Sequence, residues 1–109
     1  MNILKAIRNI YYKNILGKYV LTDIEYMLWR NICRKACQGY AQWFSKTRGD
    51  DVCGPWIANC TTEEGDLLNK IYHYLYKDDL WVALPLSTAQ INYMLYEDIK
   101  DKVIYESKR

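Results

Sequence analysis

Between Thr22 and Phe44 the chain carries a pattern that only one kind of local structure can satisfy. Thr22-Asp-Ile-Glu25 is a capping box, in which the threonine hydroxyl and the glutamate carboxylate each take up a backbone amide at a helix start. Asp23 adds negative charge at the positive end of the same helix dipole. Beyond it, Leu28, Trp29, Ile32, Cys33, Ala36, Cys37, Tyr40, Ala41 and Phe44 recur at three- and four-residue intervals, the period of a helix with one buried face. A helix of this length is predicted to be the central element of the fold. Gly39 interrupts it at a cost of about 1 kcal/mol relative to alanine, and so marks a place where a partner element comes close.

The rest of the chain reads as further helices that pack on this one. Residues 3–16 set Ile3, Ile7, Ile10 and Ile15, with Leu4 and Tyr11, on one stripe, and Gly17 closes it as a C-cap. Thr61-Thr-Glu-Glu64 and Ser87-Thr-Ala-Gln90 are two more capping boxes. The first opens a helix with Leu67, Leu68, Ile71, Tyr72 and Leu75 on one face, predicted to end near Asp78. The second opens a helix carrying Ile91, Met94, Leu95 and Ile99, extending to Val103. Leu80-Trp-Val-Ala-Leu84, before Pro85, suits a strand as well as a packed linker. From Thr47 to Asn59 the pattern breaks, and Gly54-Pro55 marks a turn. The expectation is an all-α fold: a small bundle of about four helices, with an irregular Cys- and Trp-containing loop between the second and third. At 109 residues the chain, residues 1–109, suits a single domain with one core.

The charges are unevenly distributed along the chain. Residues 1–48 hold nine Lys and Arg against Asp23 and Glu25, for a net +7, and residues 49–109 hold six against eleven acids, for a net −5. Such halves either attract one another within the fold or leave one basic face. Arg30, Arg34, Lys35, Lys46 and Arg48 lie on the central helix and its exit, with no acid between Glu25 and Asp50, and Tyr40, Trp43 and Trp56 are interleaved with them. These eight residues are the candidate binding set. Arginine and large rings are typical of protein interfaces, while the same mixture permits phosphate contact with a stacking ring. Eleven tyrosines and four tryptophans against one phenylalanine give a core whose rings carry polar tips.

No constellation for catalysis emerges. All four cysteines, Cys33, Cys37, Cys53 and Cys60, fall in one stretch of the chain, where they could be small core residues, a tetrahedral zinc site, or disulfide partners. Their spacing lacks the tight pairs of strong zinc motifs, and the helical stripe already accounts for Cys33 and Cys37. The single histidine, His73, stands among tyrosines and has no evident orienting group. Asp50-Asp51, Glu63-Glu64 and Asp78-Asp79 suit caps and solvated turns. No bound cofactor is expected beyond the zinc alternative. The N-terminus lacks the apolar run of a signal peptide, and no stretch approaches the roughly 20 apolar residues of a membrane span. The cytoplasm is the expected compartment, and there disulfides are disfavoured.

The run Arg48-Gly-Asp-Asp-Val-Cys53-Gly-Pro-Trp56 resembles the R-G-I-x-V-C-x-x-W element of small phage-encoded HNH-type endonucleases. Glu25-Tyr-Met-Leu-Trp29 resembles the E-Y-x-x-W segment that precedes it in that family. The resemblance covers residues 25–56. Asp50 stands where the element has isoleucine, and the family's aspartate, asparagine and histidine positions for metal-dependent cleavage have no counterpart downstream. The resemblance therefore implies an accessory segment without its nuclease, and carries over no catalytic residue. Small size and tyrosine-rich composition are also similar to those of phage accessory proteins, which bind and inhibit or redirect a host protein. The expected function is accordingly non-enzymatic binding of a protein partner, with a nucleic-acid-binding module built on the basic helix and the Cys53–Trp56 loop as the alternative.

Overall fold

The computed structural model describes Ile3, Ile7 and residues 17–51, 54–76 and 87–106. Their elements in chain order are strand β1 (Tyr19–Val20), helix α1 (Asp23–Thr47), helix α2 (Thr62–Tyr76), helix α3 (Thr88–Ile99), a single 3-10 turn (Lys100–Lys102) and strand β2 (Val103–Ile104). The long helix predicted from the central stripe is α1.

All three predicted capping boxes form. Glu25 N–H donates to Thr22 Oγ1 at 3.1 Å while Thr22 N–H donates to Glu25 Oε1 at 3.0 Å. Thr61 and Glu64 repeat the exchange at 3.2 and 2.9 Å, and Ser87 and Gln90 at 3.3 and 2.9 Å. Each helix start thus has two backbone amides satisfied by the residue pair that the sequence places there. At the other end of α1, Arg48 turns into the left-handed region, φ 56°, and its N–H donates to Phe44 O at 2.8 Å.

The helices enclose one core. Ile32 and Ala36 of α1, Leu67, Leu68 and Ile71 of α2, and Tyr93, Leu95 and Ile99 of α3 are all buried, joined by Ile57 from the loop and by Tyr19 and Leu21. Two ion pairs lock α1 against α2: Glu25 with Lys70 at 2.8 Å and Lys35 with Glu64 at 2.7 Å. Early residues of one helix meet later residues of the other in both pairs, so the two run antiparallel.

The expectation of an all-α bundle of about four helices is met in part. The described residues hold three α-helices, and the chain adds a two-stranded parallel sheet in which Tyr19 pairs with Val103 and Val20 with Ile104. Leu21 N–H extends the ladder to Ile104 O at 2.9 Å. Val103 was expected to prolong the last helix. Instead α3 ends at Ile99, and Val103 adopts extended backbone, φ −111° and ψ 129°, where its β-branched side chain is more at ease. Of the predicted first helix, Ile3 and Ile7 are helical and exposed, not buried on a stripe, and the remainder lies outside the described residues. So does the run Leu80–Leu84. Gly17 has a positive φ, 64°, and residues 8–16 before it lie outside the described ones.

Candidate functional site

The face that α1 turns inward differs from the one its apolar residues suggest. Glu25, Ile32, Ala36, Gly39 and Trp43 are its buried residues. The reason is the loop. An ideal Cβ on Gly39 would lie 1.7 Å from Trp56 O, so the backbone of residues 56–57 crosses α1 directly over this glycine and fixes which side faces in. Cys37, Ala41 and Phe44 are thereby rotated to the surface, in line with Arg30, Arg34 and Arg48, and all six are exposed.

This outward line has arginines toward both ends, small residues in its middle and a ring beside them. Phe44 is 45% exposed and Tyr40 47%, with their rings nearly parallel and 6.2 Å apart. Arg30 lies 5.9 Å from the Tyr26 ring, and Lys46 5.8 Å from the Trp56 ring, within reach of a cation–π attraction. Of the eight candidate binding residues, Arg30, Arg34, Tyr40, Lys46 and Arg48 are exposed on α1 or at its end. The other three are placed differently. Trp43 is buried; Trp56 is half-buried beneath Lys46; and Lys35 is drawn inward, donating to Glu64 Oε1 at 2.7 Å and Asn59 O at 2.8 Å. Phe44 was expected in the core and is part of the surface instead. The signal for it was Gly39: taking that glycine as the centre of the buried face puts Ile32, Ala36 and Trp43 inside and Phe44 outside.

Adjoining this line at Arg34, where α1 meets the turn at Ala58–Asn59, lies an open cleft of about 280 Å³ lined by Arg34, Lys35, Gln38, Gly39, Gln42, Ala58 and Asn59. Asn59 holds a left-handed backbone, φ 58°, a conformation asparagine tolerates, and its carbonyl accepts from Lys35.

Cys33, Cys37 and Cys60, three of the four cysteines offered as zinc ligands, do not converge on one point. Cys33, Cys37 and Cys60 are free thiols, and among the described residues no three His, Cys, Asp or Glu side chains converge to hold a metal ion. Helix α1 sends Cys33 toward Tyr96 of α3, whereas Cys60 sits beside Glu64 and Lys35; Cys53 lies outside the described residues. Burial pushes the Cys33 thiol up, opposed by its hydrogen bond with Tyr96, and burial together with the Glu64 charge pushes Cys60 up. Thiols so placed are weak nucleophiles at neutral pH. His73 is exposed on α2, edge-on to the Tyr72 ring.

Among the described residues, no helix is long and apolar enough to cross a membrane. No protein-family model, no curated protein and no solved structure matches this chain.

Proposed function

We propose that this chain is a non-enzymatic binding protein that docks a protein partner on the outward side of α1, through Tyr40 and Phe44 with Arg30, Arg34 and Arg48 around them. The carrying observation is the pair of half-exposed rings on a helix whose sequence has no acid between Glu25 and Asp50. Two exposed rings beside arginines supply the anchor types that dominate protein interfaces, and Cys37 and Ala41 let a partner backbone approach closely. The matching partner surface is apolar and acidic. For a chain in the style of a phage accessory protein, that partner is a host protein, met in the cytoplasm. A nucleic-acid role is less well supported, because Trp43 is unavailable for stacking and Lys35 is held by Glu64.

The test is a photo-reactive residue placed at the exposed Ala41 in cells making the full chain. A single protein adduct is expected, lost when Tyr40→Ala and Phe44→Ala are combined and lost with Arg34→Glu. An adduct that nuclease digestion removes, or tight binding to a generic DNA duplex with the steep salt dependence of counterion release, would overturn the reading.

A further inference from the structure

The cleft between α1 and the Ala58–Asn59 turn shares Arg34 with the docking face but contains neither of its rings, and its chemistry is specific. None of its lining residues is acidic. The acid behind it, Glu64, is already engaged, since one oxygen, Oε1, accepts from both Lys35 Nζ and Thr61 N–H. Its donors, in contrast, are largely uncommitted. Among the described residues Arg34 makes one long bond, 3.4 Å, to Asn31 Oδ1, which leaves most of its five N–H groups available to a ligand. Lys35 uses two of its three donor positions. The side-chain amides of Gln38, Gln42 and Asn59 donate to no described residue. The walls are also held in place, because the contact of Gly39 with Trp56 O sets the loop against the helix without a flexible side chain between them, and such preorganisation lowers the cost of binding.

We infer that this cleft binds an oxyanion, the carboxylate or phosphate group of a larger ligand. A guanidinium fork matches either group in a two-bond geometry, and amide donors on both walls complete the ring of contacts. A volume of about 280 Å³ falls just under the roughly 300–1,000 Å³ of sites that enclose a whole small molecule. The cleft therefore holds a terminal group.

The experiment is a titration of the full, isotope-labelled chain, followed by NMR at the side-chain N–H signals of Arg34, Gln38, Gln42 and Asn59. Sodium phosphate, sodium acetate and sodium chloride are compared at equal ionic strength. Saturable shifts are expected with phosphate or acetate and not with chloride, and the anion that saturates at lower concentration identifies the group. Arg34→Gln changes an exposed side chain, so the core methyl signals of Leu68 and Ile71 should be retained while anion affinity falls about tenfold, which is 1.4 kcal/mol. Shifts of equal size in all three salts would overturn the proposal, as would undiminished affinity in Arg34→Gln. No partner protein takes part, so the outcome is independent of the protein-docking reading.

Discussion

Two glycines inside helices make opposite predictions from the same substitution. Gly39 in α1 has Trp56 O at 1.7 Å and Trp56 C at 2.9 Å from where a Cβ would sit, whereas Gly65 in α2 has nothing within 4 Å. Replacing glycine by alanine in a helix gains about 1 kcal/mol when the site is free. At Gly39 that gain is outweighed, because the clashing atom is backbone and cannot rotate away. Gly39→Ala is expected to destabilise by about 2 kcal/mol net of the propensity gain, lowering Tm by roughly 10 °C, while Gly65→Ala raises it. Thermal unfolding followed by circular dichroism reads both, and a Gly39→Ala protein as stable as the parent would show that the crossing is not close. The sequence already pointed to Gly39 as a place of close approach. It did not identify the approaching segment, because Trp56 lies in an irregular loop with no periodicity to place it.

At the scale of elements, the helices were legible and the strands were not, for the same physical reason. A helix start is written locally, as in Thr22 with Glu25, Thr61 with Glu64, and Ser87 with Gln90, where both members of each box lie within one turn. The β1–β2 pair joins Tyr19–Val20 to Val103–Ile104, two residues to a strand, too short for an alternating pattern to register. What secures it is tertiary. Tyr105 stacks on Tyr26 with ring centroids 3.9 Å apart and donates to Asp23 Oδ1 at 2.9 Å, and Lys18 Nζ reaches Asp101 O at 2.7 Å. The candidate site was half legible for a related reason: exposed arginines are readable from composition, but which rings join them depends on the rotation of α1, which the loop sets. Deleting residues 103–109 should uncover Tyr19, Val20 and Leu21, each only 5% exposed, and lower Tm. In hydrogen exchange the Leu21 amide, protected in the whole chain by Ile104 O, should become fast. An unchanged Leu21 rate after the deletion would mean that the strand pair contributes nothing to holding the two ends together.

Across the whole molecule, the ion pairs make stability depend on pH in a way that the net charge alone does not reveal. Each pair takes one charge of each sign, and between them they draw one acid and one base from each half, so the +7 and −5 of the two halves remain uncancelled by them. Burial acts to raise the carboxyls of Glu25 and Glu64. It is outweighed for Glu25 by bonds from Lys70, the Thr22 amide and Tyr19, and for Glu64 by Lys35 and the Thr61 amide, so both are held below the ordinary carboxylate range. A carboxyl lowered in the folded state adds stability above its unfolded pKa of about 4.3 and loses it as pH falls through the folded value. Glu64 should dominate, since its side chain is 2% exposed and that of Lys35 17%, whereas Lys70 is 64% exposed and solvent screens its pair with Glu25. Glu64→Gln keeps an acceptor for the Thr61 amide but leaves the Lys35 charge uncompensated, a loss of about 3 kcal/mol near neutral pH by analogy with broken buried pairs. Urea unfolding measured from neutral pH downward should show the parent losing stability below pH ~4, while the variant changes less and the two curves approach each other in acid. A gap between them that stays constant from neutral pH into acid would assign the loss to packing rather than charge. The alkaline side carries the opposite sign: burial, with the bond to Glu25 second, pushes the Tyr19 hydroxyl up to about 12. Its contribution is therefore full below pH ~10 and disappears as pH rises through the folded value, so tyrosinate absorbance and unfolding should rise together there in the parent, and the Tyr19→Phe protein should lack that part of the alkaline loss.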